Sequence, residues 1–285
     1  MVASRAVAPA KLNLSLEVRP PDSSGLHPVR GLTQSIGWHD ILTMEESGAD
    51  RLSVHGTDLP SGEANLAWKA VKAMRDLSGD SRRVEMKLWK RIPVAAGLAG
   101  GSADAAAALA LHAELIGAGP GRVDEAAAVV GMDVTFCLYG GRRWIGGYGE
   151  RIGPAIEGDD GFVTVVAVPP FRLETPLVYG AWDRLGGPKG PEVSGSDLPP
   201  AIRVHGSLSN DLYPAARTIE PLLDDWRAEL AVRWGRSVLL SGSGPALFGF
   251  FVDQVEAEEA LALVPGEARS AFSAAPLGHG VRITD

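Results

Sequence analysis

From Ile92 onward the chain reads IPVAAGLAGGSADA, and this stretch holds the residue pattern best suited to chemistry. Gly97, Gly100 and Gly101 remove side chains where a predicted strand passes into a predicted helix. Main-chain N–H groups can then converge on one concavity, and the helix adds the positive end of its dipole. Ser102 stands where a helix cap or a phosphate-contacting hydroxyl belongs. The chemistry is capture of an anion, above all a phosphate, without a cluster of lysines. The same glycines can also make only a tight turn ahead of a capped helix, and glycine content alone does not choose. The segment contains no GxxxxGK[ST] and does not fit the GxGxxG spacing of dinucleotide-binding turns.

Other residues carry weaker signals. Asp133, in Gly131-Met-Asp-Val134, suits a general base, a helix cap or a structural ion pair alike. Lys11 lies between Ala10 and Leu12, where strand alternation puts any solvated charge. Asn65 fits an N-cap for the helix that follows it. Asp104, in the first turn of a helix, is stabilised by the helix dipole whatever else it does. Gly242, Ser243 and Gly244 fit either a hairpin turn or a set of backbone donors.

The elements that must hold these residues alternate in type. Residues 6–19 read as a strand broken by Pro9, and residues 20–28 as turn chemistry. A helix is expected over 64–77, from Leu66, Ala67, Ala70, Val71, Met74 and Leu77 at helical spacing. Residues 83–88 alternate strictly, a half-buried strand. The alanine-rich run 105–115 is a strong helix that can pack close to its neighbours. A further helix is expected over 122–130, and short strands amid glycines over 131–152. After a polar break at 157–161, Val163–Val168 reads as a buried strand. Residues 186–200 read as a mobile loop. Strands are expected at 237–240 and 246–252, and Asp253 with Glu256 forms a capping box opening a helix to Leu263. This pattern predicts an α+β protein of two domains, residues 1–155 and 156–285.

Composition bounds the function. The chain has 285 residues with 27 basic and 35 acidic side chains, a net charge of −8. That sign repels nucleic acid and anionic membrane, so neither is an expected partner. Cys137 is the only cysteine and the six histidines lack ligand spacing, so neither a disulfide framework nor a protein-held metal cluster is expected. No apolar run approaches the roughly 20 residues that span a bilayer, and the N-terminus lacks the apolar core of a signal peptide. The expectation is a cytoplasmic enzyme.

Three segments together resemble the GHMP kinases: Ala8-Pro-Ala-Lys-Leu-Asn-Leu14, Pro93-x-x-x-Gly97-Leu98-x-Gly-Gly-Ser102-Ala103, and Leu240-Ser-Gly-Ser-Gly-Pro-Ala-Leu-Phe248. Gly25-x-His27, Asn65-Leu-Ala-Trp68, Gly131-Met-Asp133-Val and Ser209-Asn-Asp-Leu212 extend the likeness, in order, over nearly the whole chain. Within that superfamily they are similar to the branch whose acceptor is a cytidine diphosphate-linked alcohol of non-mevalonate isoprenoid biosynthesis.

The resemblance implies a ribosomal-protein-S5-like N-terminal domain, a ferredoxin-like C-terminal domain, and ATP as phosphoryl donor. It implies that Asp133 is the general base and that Lys11 beside it stabilises the transferring group. ATP would lie over Pro93, Val94, Ala95, Ala96, Gly97, Leu98, Ala99, Gly100, Gly101, Ser102 and Ala103, with Asn65 on the adenine side. Mg2+ would bridge phosphate oxygens, with Ser102 as its protein contact. Asn13, Leu26, His27, Thr175, Gly242, Ser243 and Gly244 would hold the acceptor. The family commonly has a tyrosine where Leu26 stands, so Phe171 or Tyr179 is expected to supply the stacking platform. Ala99 replaces a frequent glycine, which costs little if its φ is negative. The protein would act as a monomer or homodimer. Two other readings stay open: a GHMP kinase with a different alcohol acceptor, and a non-catalytic nucleotide-binding relative. Retention of both Lys11 and Asp133 weighs against the second, because binding alone has no use for a base.

Overall fold

The chain opens on two long strands, β1 (Ser4–Val18) and β2 (Val29–Glu46), paired antiparallel along most of their length. Pro9 does not break β1. The register shifts between Pro9 and Ala10, so the missing N–H falls at an irregularity and the strand continues. The structure is a computed structural model that describes residues 3–158 and 161–284; of the polar break, Asp159 and Asp160 lie outside the described residues.

β3 (Arg51–His55) and β4 (Val84–Trp89) add parallel to each other, with α1 (Leu66–Ser78) between them in the chain. Three helices follow, α2 (Gly100–Ile116), α3 (Pro120–Val130) and α4 (Val134–Tyr139), then β5 (Arg142–Gly146) and β6 (Arg151–Ile152). The first sheet, which includes β11 (Pro276–Leu277) and β12 (Arg282–Thr284) from the end of the chain, has the order β12-β1-β2-β4-β3, with β11 and β5 also on β2 and β6 on β5.

The second half comprises β7 (Val163–Val168), α5 (Thr175–Arg184), α6 (Pro200–Arg203), α7 (Tyr213–Ile219), α8 (Leu222–Trp234), β8 (Leu239–Leu240), β9 (Leu247–Phe251), α9 (Gln254–Ala262) and β10 (Ser270–Ala274). Its antiparallel sheet runs β10-β7-β9-β8. β11 (Pro276–Leu277) and β12 (Arg282–Thr284) then return to the first sheet, on β2 and β1. Residues 276–284 therefore belong to the sheet of the first half, beyond the single boundary expected at residue 155.

Side-chain size explains where α2 sits. Ala103 and Ala105 through Ala108 are fully buried, so α2 lies flat against β1 and β2 with α1, α3 and α4 around it. Two expectations need correction. Residues 134–139 form a helix rather than a strand piece, with Val134, Phe136 and Cys137 buried; six residues are too few to display a helical period. Residues 186–200 are not a free loop. Val193 pairs with Leu208, Leu198 is buried, and a Cβ on Gly190 would lie 2.0 Å from the Asn210 carbonyl. Asp253 caps α9 as its spacing predicts, accepting the Glu256 N–H at 2.9 Å. No helix of the described residues is long and apolar enough to cross a membrane.

Candidate active site

Period-two alternation along β1 puts Lys11 and Asn13 on one side of the strand, and both line a cavity of about 940 Å³. The Lys11 ammonium donates to Asn13 Oδ1 at 2.5 Å and lies 3.4 Å from Asp133 Oδ2. The Lys11 side chain is 6% exposed while Asp133 is 34% exposed. The pair is thus sealed at its cation and open at its carboxylate, where an incoming hydroxyl can reach it. Asp133 closes the segment between α3 and α4 and makes no capping bond with its side chain.

The glycine-rich turn faces the same cavity along residues 93–101. Gly97 has φ +79°, and a Cβ there would lie 2.3 Å from the Ser241 carbonyl oxygen. Only glycine fits at that approach. Ser241 locks three segments together. Its hydroxyl donates to the Gly97 carbonyl at 2.9 Å and accepts the Asn13 N–H at 3.2 Å. Lys11 N–H donates to the Leu98 carbonyl at 3.1 Å, and Ala246 N–H to the Ala96 carbonyl at 3.0 Å. Asn210, from the SNDL segment, donates to the carbonyls of Leu240 and Gly242, both at 2.8 Å, and so fixes the turn that carries Ser243.

α2 starts at Gly100 with Ala99 as its N-cap and no side chain bonded there. Ser102 is therefore not the cap, and the first-turn N–H groups keep the anion-binding capacity of a helix start. Ala99 has φ +56°, a left-handed conformation, so the condition under which its replacement of glycine would cost little is not met. Ser102, Ala103 and Gly244 are not on the cavity wall: Ser102 is half-buried, Ala103 packs in the core, and a Cβ on Gly244 would meet Leu240 and Leu173. Asn65 is on the wall, yet its side chain is engaged as the α1 cap, accepting Ala67 N–H and donating to the Pro60 carbonyl, both at 2.9 Å.

Leu26, His27, Thr175, Gly242 and Ser243 all reach the cavity. His27 Nε2 is 2.8 Å from Asp183 Oδ1, and its ring lies against Tyr179 at 4.9 Å between centroids. Thr175, at the start of α5, shares a hydroxyl contact of 2.8 Å with Ser243. Of the two aromatic candidates, Tyr179 lines the cavity and Phe171 does not. Burial pushes the Tyr179 hydroxyl up to about 12, with the Asp133 charge adding to it.

Residue patterns missed a buried charge cluster behind the turn. Lys90 donates to Asp104 Oδ2 at 2.7 Å and also pairs with Asp40. Asp40 Oδ1 in turn accepts the N–H groups of Arg91 and Ile92, at 2.5 and 2.9 Å. The cluster ties the start of the turn to α2, so Asp104 serves an ion pair rather than the helix dipole. Burial lifts the Asp104 carboxyl well above its ordinary value, against the pull of Lys90. Nothing local could have marked it, since Lys90 stands 14 and 50 residues from its partners.

Comparison with known proteins agrees with this geometry. The GHMP kinases N terminal domain matches residues 65–141. A 4-diphosphocytidyl-2-C-methyl-D-erythritol kinase from Pelotomaculum thermopropionicum is 36% identical over 265 residues, covering 90% of this chain and 92% of its own. Its namesake from Cutibacterium acnes is 37% identical, covering 90% and 88%. A crystal structure of 4-(cytidine 5'-diphospho)-2C-methyl-D-erythritol kinase superposes with a TM-score of 0.77 at 32% identity, over 97% of this chain and 100% of that one. A homoserine kinase from Cytophaga hutchinsonii, at 16% identity and a TM-score of 0.71, shares the fold. Fold and matched domain define a GHMP kinase, an ATP-dependent phosphotransferase acting on a small molecule. More narrowly, the chain belongs to the 4-diphosphocytidyl-2-C-methyl-D-erythritol kinase family.

Proposed function

We propose that this chain moves the terminal phosphoryl group of ATP onto the 2-hydroxyl of 4-diphosphocytidyl-2-C-methyl-D-erythritol, a step of non-mevalonate isoprenoid precursor biosynthesis. The observation that carries the residue roles is the 3.4 Å approach of Lys11 to Asp133 on the cavity wall that also bears the glycine-rich turn.

Phosphoryl transfer leaves the protein little covalent work; it must align the alcohol and absorb charge. In our reading Asp133 accepts the proton of the acceptor hydroxyl as its oxygen bonds to the γ-phosphorus. The bond from that phosphorus to the β–γ bridging oxygen breaks, and ADP leaves. Lys11 stabilises the charge on the equatorial oxygens, and the N–H groups at the start of α2 hold the phosphates. Asn13, His27 and Thr175 hold the acceptor, with Gly242 and Ser243.

Among the described residues no three His, Cys, Asp or Glu side chains are grouped to hold a metal. The cavity wall offers oxygen donors, the Asp133 carboxylate and the Thr175 and Ser243 hydroxyls among them, which suit a hard cation that arrives on the phosphates and keeps most of its waters. Mg2+ would neutralise phosphate charge there; Ser102, the side chain that the resemblance assigns to it, lies in the first turn of α2 but off the cavity wall, so the phosphates and water would supply most of the ion's ligands. We take the protein as a cytoplasmic monomer or homodimer. Its acidic balance favours small-molecule partners over nucleic acid or membrane.

The test is ATP turnover with the cytidylyl alcohol set against homoserine, mevalonate and galactose. Turnover of the first alone is expected, and Asp133→Asn should lower kcat by about 10²–10⁴-fold with little change in KM for ATP. Tight nucleotide binding with no turnover of any acceptor would sink the reading and favour a regulator.

A further inference from the structure

Tyr148, which residue patterns did not mark, lines the same cavity as Leu26, His27 and Tyr179. It sits in the turn between β5 and β6, flanked by Gly147 at φ +67° and Gly149 at φ +123°. Glu150 folds back over this turn. Its Oε2 accepts the Tyr148 N–H at 2.7 Å, and a Cβ on Gly147 would meet its carboxylate at 2.2 Å. Gly149 packs beside Met132, the neighbour of Asp133, where a Cβ would make contact at 3.4 Å. The turn is therefore seated against the segment that carries the candidate base.

The far end of Tyr148 is also fixed. Its hydroxyl donates to Asp22 Oδ2 at 2.6 Å, while Asp22 Oδ1 accepts the N–H and hydroxyl of Ser24 at 2.8 and 2.6 Å. Ser24 first, and Tyr148 next, hold the Asp22 carboxyl below its ordinary value. The clamp thus joins the β5–β6 turn to the β1–β2 turn, which carries Leu26 and His27. Leu26, 43% exposed on the wall, has no π-face to offer. Among the described residues no aromatic ring stacks on Tyr148. A tyrosine held at both backbone and hydroxyl has little rotamer freedom left to lose when a planar ligand packs on its ring.

We propose that Tyr148 is a specificity-determining residue: clamped by Asp22, its ring is a platform on which the pyrimidine base of the acceptor packs. This rests on the acceptor assigned above. Adenine is the less fitting occupant, because the clamp ties Tyr148 to the turn of Leu26 and His27 rather than to Asn65.

Steady-state kinetics with ATP and the cytidylyl alcohol test it on the unsubstituted protein, Tyr148→Leu, Tyr148→Phe and Asp22→Asn. Tyr148→Leu keeps apolar bulk but loses the π-face, and is expected to raise the acceptor KM roughly tenfold while kcat and the KM for ATP stay within about twofold. Tyr148→Phe keeps the ring and loses the clamp, as Asp22→Asn weakens it, so each should raise the acceptor KM by only about two- to threefold. Should Tyr148→Leu fail to fold, the Phe and Asn variants decide by the same split between the two KM values. An acceptor KM unmoved by any variant, or an equal rise in the KM for ATP, overturns the proposal and leaves the kinase reading intact. No turnover of the cytidylyl alcohol by the unsubstituted protein overturns the acceptor assignment, and the role of Tyr148 with it.

Discussion

Ala99 holds φ +56° at the N-cap of α2, where an L-residue pushes its Cβ towards a neighbouring carbonyl oxygen. That conformation costs about 1–2 kcal/mol for a residue other than glycine. Glycine would remove the cost and return about 0.5–1 kcal/mol through its greater freedom in the unfolded chain. Ala99→Gly should therefore stabilise the fold by about 0.5–1 kcal/mol, read as a higher urea midpoint at unchanged slope. The KM for ATP should hold, because Gly97 and Leu98 are pinned from outside by Ser241 and Lys11. A lower midpoint would mean that the Ala99 methyl group supports the turn. At this scale, what was legible depended on how near a residue's partner lies in the chain. Asn65 read as a cap because its acceptor role is met two residues on, at Ala67. Asp104 misread because Lys90 and Asp40 reach it only through the fold. The sign of φ at Ala99 left no trace in residue type, since alanine does not advertise a left-handed conformation as glycine does.

Loops join the elements at the active site, and Ser241, in the turn between β8 and β9, is a point of contact. It is fully buried, and its single hydroxyl serves β1 through Asn13 and the glycine-rich turn through Gly97. Removing that hydroxyl leaves a half-buried carbonyl and a buried N–H without their partner. Ser241→Ala should cost about 1–3 kcal/mol in urea denaturation. Because both tethered segments face the cavity, the KM for ATP and for the acceptor should rise together, unlike the one-sided effect expected at Tyr148. A stability loss with both KM values unchanged would show that the three segments hold their places without this latch. The elements themselves were largely readable where the period had room to repeat: α1, α2 and α3, and the strands β4, β7 and β9, fall close to where their patterns put them. α4 was too short to show a period. The loop at 186–200 read as open because glycine and proline mark turns, and they say nothing of Val193 and Leu198 burying themselves across it.

For the whole molecule, the return of β11 and β12 to the first sheet ties the end of the chain to its beginning, so the cavity is built between halves that are joined twice. Leu16 strengthens the join, exchanging main-chain bonds of 2.8 and 2.9 Å with Ser209 and Asp211. Residue patterns divided the chain once because β11 and β12 are too brief to read as strands. Acid stability then depends on wholly or partly buried histidines in both halves. His39, His112 and His205 all lie below their ordinary value of 6.5, with burial as the first cause in each. An unfolded histidine protonates near that value, whereas these folded ones do so only at lower pH. Between the two values the unfolded state binds more protons, so the stability they contribute is complete above about pH 6.5 and is lost as pH falls through the folded values. Asp104 has the opposite sign: its carboxyl is raised, so above the ordinary carboxylate value the folded state keeps a proton that the unfolded one sheds. A single substitution separates the two trends. His112 is fully buried, 3.2 Å from Asp80 through Nε2, and its Nδ1 has no partner among the described residues. Protonating it would bury an unpaired donor in the core. Urea midpoints at about pH 7.5 and about pH 5.5 should therefore fall less in His112→Gln than in the unsubstituted protein, since glutamine can keep the bond to Asp80 and cannot titrate. Equal pH dependence in the two proteins would show that His112 contributes nothing to acid sensitivity, and would leave His39 and His205 to account for any loss observed.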